Sequence, residues 1–304
     1  MIIQRFTQFI LKRRFNAILI AILFALVPYL NWVSGIVVGL ITLRKGVTEG
    51  FMITLWAALP GLVILFHTGL WVPFVANVAY GTFLVWILAI LLRRTANWSL
   101  VLCLTALLGV VGVLVMHLAV KNVSAWWFQY FNFSLTQLEQ VVSIPASAES
   151  NMTIMLQKLS VVATGLQIMF FSLAAIIVLF MARGLEDRFF KPGCLAQEAY
   201  QIRMPILASL VFIGWLFLGR QEAGFFLDAL PVLVLPFILA GISLIHAILV
   251  AKKLARGWFT GFYIVLIFIA FFMPALLLIV VMMALFDSLI NFRKRFLFNA
   301  NKIR

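Results

Sequence analysis

The most informative shortage in this sequence is a shortage of charge. Only 11% of the 304 residues are Asp, Glu, Lys or Arg, whereas 65% are hydrophobic and the mean hydropathy is +1.16. A soluble domain carries about 25% charged residues, so this chain has too few of them to cover a surface that faces water. Lipid is therefore predicted to be the solvent for most of the chain.

The sequence also lacks the short alternating segments of a transmembrane barrel, and its apolar runs are long and continuous. In lipid every backbone N–H and C=O group needs a partner within the protein, which leaves helices and closed barrels as spanning structures. Runs close to the roughly 20 residues of a membrane helix favour helices. The sequence predicts an all-α, polytopic integral membrane helical bundle with apolar runs near 15–43, 47–66, 70–91, 98–120, 158–183, 204–219, 225–250 and 257–290.

Groups that carry chemistry are scarce as well. The two cysteines are Cys103, inside an apolar run, and Cys194, in a basic loop, so neither a disulfide nor a CxxC or Cys/His metal site is predicted. The chain contains no GxxxxGK[ST], no HExxH and no GxSxG, the motifs of P-loop nucleotidases, zinc proteases and serine hydrolases. We predict a protein that is not an enzyme and that uses no cofactor and no metal.

Acidic residues are outnumbered, with nine Asp and Glu against 23 Lys and Arg and a formal net charge of +14. In a soluble protein this excess would suggest nucleic acid, but here the basic residues cluster in short loops between apolar runs. Such clustering is typical of the positive-inside rule, with phosphate recognition as the alternative. The predicted partners are membrane lipids and no nucleic acid.

Two of the apolar runs, 15–43 and 257–290, are too long for one crossing. Each contains a proline near its centre, Pro28 and Pro274, and proline removes a backbone donor and breaks a helix. We predict that each run forms a hairpin of two short helices, either spanning or re-entrant.

The basic residues favour this topology. If every run crosses once, the Lys and Arg residues divide about evenly between the two sides of the membrane. With hairpins at both ends of the chain, only Lys121, Lys158 and Arg220 remain outside, as the positive-inside rule requires. The prediction is a multi-pass protein of the bacterial inner membrane with about eight to ten membrane segments and both termini in the cytoplasm.

Two stretches between the runs are distinctive. The segment 122–157 contains no Lys or Arg and opens with aromatic residues such as Trp126 and Trp127, which favours an amphipathic element anchored at the membrane interface. A lid over an outward-facing pocket is the alternative. The loop 184–203 is the most polar. We predict a single membrane domain over 1–304, and this loop is where it would subdivide into a six-segment bundle, 1–183, and additional helices, 204–304.

Carboxylates inside apolar runs are candidates for function because they are costly in lipid. Asp228 precedes Pro231 and Pro236, and an acidic residue beside a proline-broken helix is typical of ion and substrate sites. We predict Asp228 as a ligand-binding residue near the water boundary. Glu49 is either a functional carboxylate or one that the neighbouring Arg44 and Lys45 neutralise at the interface.

Uncharged polar residues supply the other candidates. Asn77 and Gln167 are amides within apolar runs that would either line a polar cavity as ligand-binding residues or bridge two helices. His117, near the end of its run, is expected to be a hydrogen-bonded core residue. A transport function requires a polar cavity near the predicted ligand-binding residues, whereas a scaffold function requires tight packing there.

The first apolar helix has a face of small residues. Ala17, Ala21 and Ala25 recur every four residues and would let another helix approach closely. The face serves either ordinary internal packing or the docking of a partner membrane protein.

Two regions carry short motifs in a recognisable order. The N-terminal region carries the alanine face with Pro28 and then Arg44-Lys45-Gly46-x3-Gly50. The C-terminal region carries Pro274 and then Asp287-Ser288-x2-Asn291-Phe292-Arg293. Together these motifs resemble the YybS-like family of bacterial membrane proteins, with Asn291 in place of the second acidic residue of the family's motif.

This family in turn resembles the substrate-binding S components of energy-coupling-factor vitamin transporters. The resemblance implies a small helical bundle over 1–183 and a first helix that docks a transmembrane coupling subunit through Ala17, Ala21 and Ala25. It implies a transport-related subunit without an ATPase of its own, whereas the last four segments have no counterpart in an S component. The alternative is a scaffold or regulatory protein of the bacterial envelope.

Overall fold

The computed structural model describes residues 2–27, 30–69, 74–139, 146–221 and 224–293, and every regular element in these ranges is a helix. The chain forms two compact units that each combine distant parts of the sequence. Unit 1 comprises residues 1–105 and 171–202, and unit 2 comprises residues 106–170 and 203–304. The subdivision into 1–183 and 204–304 stays a prediction.

The helices of unit 1 begin with an amphipathic element and continue with apolar ones. They are α1 (Ile2–Lys12), α2 (Arg14–Leu26), α3 (Asn31–Lys45), α4 (Val47–Thr68), α5 (Val75–Leu84, with π-helical hydrogen bonds), α6 (Val85–Thr95), the start of α7 (Trp98–Ala119), most of α10 (Ala163–Phe190) and α11 (Cys194–Tyr200).

Unit 2 contains the rest of α7 and the first residues of α10, together with the remaining helices. These are α8 (Val123–Glu139), α9 (Ala146–Ser160), α12 (Ile206–Gln221), α13 (Phe225–Asp228), α14 (Leu230–Ala251), α15 (Arg256–Phe272) and α16 (Leu277–Ile290).

The structure supports the prediction of an all-helical, multi-pass membrane protein. Among the described residues, five helices are long and apolar enough to cross a bilayer: Val47–Thr68, Val78–Thr95, Trp98–Ala119, Ala163–Phe190 and Phe225–Ala251. Two buried hydroxyl groups of these helices find partners inside the same helix, since Thr54 and Thr105 each donate to the backbone carbonyl four residues earlier. Thr42 in α3 does the same. This satisfies a polar side chain where no water is available.

The two long terminal runs are broken into shorter helices. The first run divides into α2 and α3 between Leu26 and Asn31, while Pro28 itself lies outside the described residues. The last run divides at Met273 and Pro274 into α15 and α16. The number of crossings, the hairpin topology and the orientation of the termini stay predictions.

The core of unit 1 forms where α2 meets α3 and α4. Ala17 and Ala21 are fully buried there against larger side chains such as Val37 and Val38. A second close approach occurs at Gly35, where a Cβ atom would collide with the backbone oxygen of Gly81. Small residues therefore set how closely the helices of this unit pack.

Unit 2 is built on the pairing of α14 with α16, and α12 joins both. At Gly241 in α14, a Cβ atom would collide with the backbone oxygen of Val280 in α16. The partner of α16 is thus chiefly α14, although α15 precedes α16 in the chain. The same pairing positions the polar residues at the end of α16.

Candidate functional site

The most unusual polar group of unit 2 is the carboxylate of Asp228, which is 1% exposed. Asp228 ends the short helix α13, and the chain turns at Ala229 before α14 begins at Leu230. The interruption expected from the prolines thus falls beside Asp228. Pro231 lies in the first turn of α14, where a proline costs no hydrogen bond, and Pro236 stays inside the helix.

Each oxygen of this carboxylate has a hydrogen-bond partner. Oδ1 accepts the backbone N–H of Gly165 at 2.8 Å, and Oδ2 lies 3.0 Å from Nε2 of His117. Both partners come from other helices, Gly165 from the first turn of α10 and His117 from the last turn of α7. Unsatisfied N–H groups and the macrodipole make a helix N-terminus favourable for negative charge, which offsets part of the cost of burying Asp228.

Gly165 is the residue that permits this approach. A Cβ atom at position 165 would overlap the backbone oxygen of Asp228 and come within 3.2 Å of Pro231. The backbone of Asp228 and the start of α14 therefore pack directly on the backbone of α10. Any larger residue at position 165 would push the carboxylate away from its N–H partner.

His117 lies between the buried carboxylate and the outside of the protein. Its side chain is 22% exposed, and its ring meets the ring of Phe225 edge-to-face at a centroid distance of 5.8 Å. An imidazole and a carboxylate in hydrogen-bond contact can hold one proton between them or, when His117 is protonated, form an ion pair. The partly exposed His117 therefore connects the buried carboxylate of Asp228 to the protein surface through a hydrogen bond.

The aromatic helix α8 packs beside this pair. The indole N–H of Trp127 donates to Oγ1 of Thr164 at 2.8 Å, and Trp127 is buried with Val123 and Ala163 at the start of α10. Farther along α8, Phe133 is 65% exposed. One end of α8 is thus fixed to the helix terminus that holds Asp228, and its role as an interface anchor or a lid stays a prediction.

The predicted ligand-binding residues do not form one cluster. Asp228 is buried and paired, Gln167 on α10 is half-buried, and the side chain of Asn77 lies outside the described residues. The hydrogen bonds of the Asp228 carboxylate go to His117 and Gly165, not to Gln167.

Sequence reasoning assigned His117 to the core and missed its partner. One signal was available, because the predicted topology places the end of the His117 helix and the start of the Asp228 helix on the same side of the membrane. Gly165 gave no signal, since only the packing of α10 against Asp228 shows why a glycine is needed.

The predicted docking face lies inside unit 1. Ala17 and Ala21 are fully buried between α2, α3 and α4, and Ala25 is half-buried. The arrangement matches internal packing, the alternative given above, and a partner could reach Ala17 and Ala21 only if these helices separated. The docking role stays a prediction.

A second charged cluster of unit 2 joins the end of α16 to its neighbours. Nε of Arg293 donates to Oδ2 of Asp287 at 2.9 Å, and its other nitrogens reach Ser243 on α14. Burial lowers the pKa of Arg293 from its ordinary value, and the hydrogen bond to Asp287 raises it; an arginine stays protonated in proteins. Ser288 donates to the carbonyl of Met204 and accepts from Ser209 on α12.

This cluster explains the C-terminal motif in structural terms. Asp287, Ser288 and Arg293 hold α16 against α14 and α12, and Arg203 donates to the last carbonyls of α16 at Asp287 and Ser288. Asn291, where the resembled family has an acidic residue, has φ 58° and ends the helix in the left-handed region. Asparagine adopts this conformation more readily than most residues.

Unit 1 contains its own buried ion cluster. Arg183 on α10, 7% exposed, pairs with Glu186 on the same helix at 2.6 Å and with Glu198 on α11. The indole N–H of Trp98 also donates to Glu198, at 3.1 Å. These contacts fix α11 against α10 and α7 within the unit, and the cluster was not predicted from the sequence.

Within the described ranges, no three side chains among His, Cys, Asp and Glu come close enough to hold a metal ion. Comparison of the chain with protein-family models, with curated proteins and with solved structures found no match.

Proposed function

We propose that this chain is a transport-related, substrate-binding subunit of the bacterial inner membrane that lacks an ATPase of its own. The observation that carries the proposal is the buried carboxylate of Asp228, paired with His117 at the first turn of α10. An ionisable residue within a membrane segment is expensive and marks ion, proton or substrate pathways by default. The resemblance of the sequence to the YybS-like family and to S components supports the same assignment.

In this proposal the Asp228–His117 pair is the polar element that responds to a ligand. An interrupted helix whose neighbour presents an N-terminus is the arrangement from which many transporters build their sites. A small ligand from the periplasmic side would reach His117 first, since Asp228 lies behind it. Binding would replace one of the two hydrogen bonds of the carboxylate, and coupling to another membrane protein would use the first apolar helix.

A specific observation favours the second candidate, a scaffold or regulatory protein of the envelope. Asp228 is tightly packed, with both oxygens paired. Two cavities, one bordered by Gln8 and Arg44 and the other by apolar side chains such as Leu216 and Phe286, are lined by neither Asp228 nor Gln167. A scaffold needs such packing, whereas a transporter needs this site to open in another state.

The experiment that separates the two is native mass spectrometry of the full chain in nanodiscs, comparing wild type with D228N. D287N is the control, because it removes another buried carboxylate of unit 2 away from His117. Since D287N also leaves Arg293 without its partner, the three proteins are compared only where their tryptophan fluorescence shows the same folded state. A small molecule that is bound to the wild type and to D287N but lost from D228N supports the transport-related function. If all three proteins carry lipid alone, the scaffold function replaces it.

A further inference from the structure

A cavity of about 350 Å³ in unit 1 is bordered by three basic side chains from two helices. Lys12 comes from the end of α1, whereas Arg44 and Lys45 come from the end of α3. The remaining lining residues are Gln8, Leu11 and Phe190, so the wall combines positive charge, an amide and apolar surface. None of the described residues that line this cavity carries a carboxylate.

The positive charges of the cavity are not neutralised within the described part of the chain. Glu49 forms an ion pair with Arg14 at 2.5 Å. The alternative in which Arg44 and Lys45 neutralise Glu49 is wrong, because α2 brings Arg14 to Glu49 at the start of α4. No ion pair of Lys12, Arg44 or Lys45 with a described carboxylate occurs.

Two carbonyls near the C-terminus of α3 have donors other than Arg44 and Lys45. The carbonyl of Ile41 accepts the backbone N–H of Gly46 at 3.3 Å, and the carbonyl of Thr42 accepts from Arg93 at 2.9 Å. Cations near a helix C-terminus are favourable through the macrodipole. The dipole of α3 does not, however, account for Lys12, which α1 brings to the same cavity.

Arg44 is oriented by an aromatic ring. Its guanidinium carbon lies 4.0 Å from the centroid of the Phe190 ring, and Phe190 is itself 37% exposed at the border of the cavity. Stacking on the ring restricts the plane of the guanidinium and leaves its N–H edges available to an anion. The site is therefore partly ordered in advance of binding.

We propose that this cavity binds a phosphate group, carried either by the head group of an anionic lipid or by a soluble phosphate ester. Arg44 would bind two phosphate oxygens in a bidentate manner, Lys12 and Lys45 would neutralise the charge, and the side-chain amide of Gln8 would donate to a further oxygen. Basic pockets beside membrane helices are known to hold phosphorylated lipid head groups. The proposal does not depend on the function of the Asp228–His117 pair.

The first helix favours the lipid as the source of the phosphate. Helix α1 is amphipathic, with Ile10 buried, Gln8 exposed and Phe9 48% exposed beside them. Such a helix with basic residues on its polar face lies in the plane of the membrane interface. A cavity at its end would face lipid phosphates.

The test uses the full chain in detergent and measures the bound fraction of added phosphatidylglycerol by native mass spectrometry, with phosphatidylcholine as the neutral reference. The variants are R44Q/K45Q and, from the other helix, K12Q; all three residues are exposed, so folding should survive. The matched control is K252Q/K253Q, which removes the same charge from exposed positions in unit 2. A single basic residue near an anionic lipid is worth a factor of about five in affinity.

Phosphatidylglycerol should bind about fivefold more weakly to K12Q and about 25-fold more weakly to R44Q/K45Q, while K252Q/K253Q behaves as the wild type. Equal losses in R44Q/K45Q and K252Q/K253Q would overturn the proposal, because only the total charge would then matter. Competition by glycerol 3-phosphate and inorganic phosphate distinguishes the sources. If either displaces phosphatidylglycerol from the wild type, the site takes soluble phosphates; if neither does while the variants still lose lipid, it takes the lipid head group.

Discussion

Nε2 of His117 lies 3.0 Å from Oδ2 of Asp228, although the two residues are 111 positions apart in the chain. The contact joins the end of α7 to the interruption between α13 and α14. It places a partly exposed imidazole beside a buried carboxylate. Gly165 fixes the other oxygen. The carboxylate of Asp228 therefore connects three helices of unit 2, and the stability of the unit should be sensitive to substitutions at Asp228.

Removal of the Asp228 carboxylate should destabilise unit 2 according to what replaces it. D228A leaves the N–H of Gly165 without a partner and should lower stability by about 1–3 kcal/mol. D228N keeps a side-chain oxygen for Gly165 and should cost less. The midpoint of thermal unfolding in detergent, followed by tryptophan fluorescence, measures both. If D228A unfolds at the wild-type temperature, the carboxylate does not stabilise the junction.

The glycine that faces Asp228 gives a test with a close control. G165A places a Cβ atom on the backbone oxygen of Asp228, and such overpacking costs about 1–3 kcal/mol. G214A, in α12 of the same unit, adds a Cβ that meets nothing within 4 Å. It should be neutral or stabilising by up to about 1 kcal/mol, because alanine is the better helix former. Equal unfolding midpoints for the two variants would contradict the packing described at Gly165.

The ion pair at the end of α16 should behave as a coupled unit. Asp287 and Arg293 are 2% and 8% exposed, so D287N or R293Q alone leaves a buried charge without its partner, at a cost of about 3–5 kcal/mol. The double variant should cost less than the sum of the two single ones. Urea or thermal unfolding of all four proteins gives the coupling energy, and additive losses would show that the pair is not a unit.

The effect of substituting Asn291 on stability should depend on how readily the new residue adopts the left-handed backbone conformation. At φ 58° the left-handed region costs other L residues about 1–2 kcal/mol, whereas glycine adopts it freely. N291A should therefore lower the unfolding midpoint, and N291G should stay near the wild type. A larger loss for N291G than for N291A would mean that the side chain, and not φ, is what the position requires.

Much of the fold could be predicted from the sequence because the preference of long apolar segments for lipid is visible in the composition. Long apolar runs, scarce charge and the proline in the last run were enough to indicate helices, membrane crossings and the break at Met273. Partners across the chain were not predictable: Arg14 with Glu49, His117 with Asp228 and Arg183 with Glu198 depend on which helices pack together. Composition carries no information about that choice.

The alanine face of α2 is the place where two interpretations of one pattern make opposite predictions. Ala21 is 0% exposed and packs in the core of unit 1, so A21L should strain that core by about 1–3 kcal/mol and lower the unfolding midpoint of the isolated protein. A25L makes the same change one turn later, at a half-buried position, and should cost less. If A21L instead unfolds like the wild type but loses a membrane protein that co-purifies with A25L, the face docks a partner. If the face serves internal packing, A21L unfolds at a lower temperature than A25L, because strain in a buried core lowers stability whether or not a partner is present.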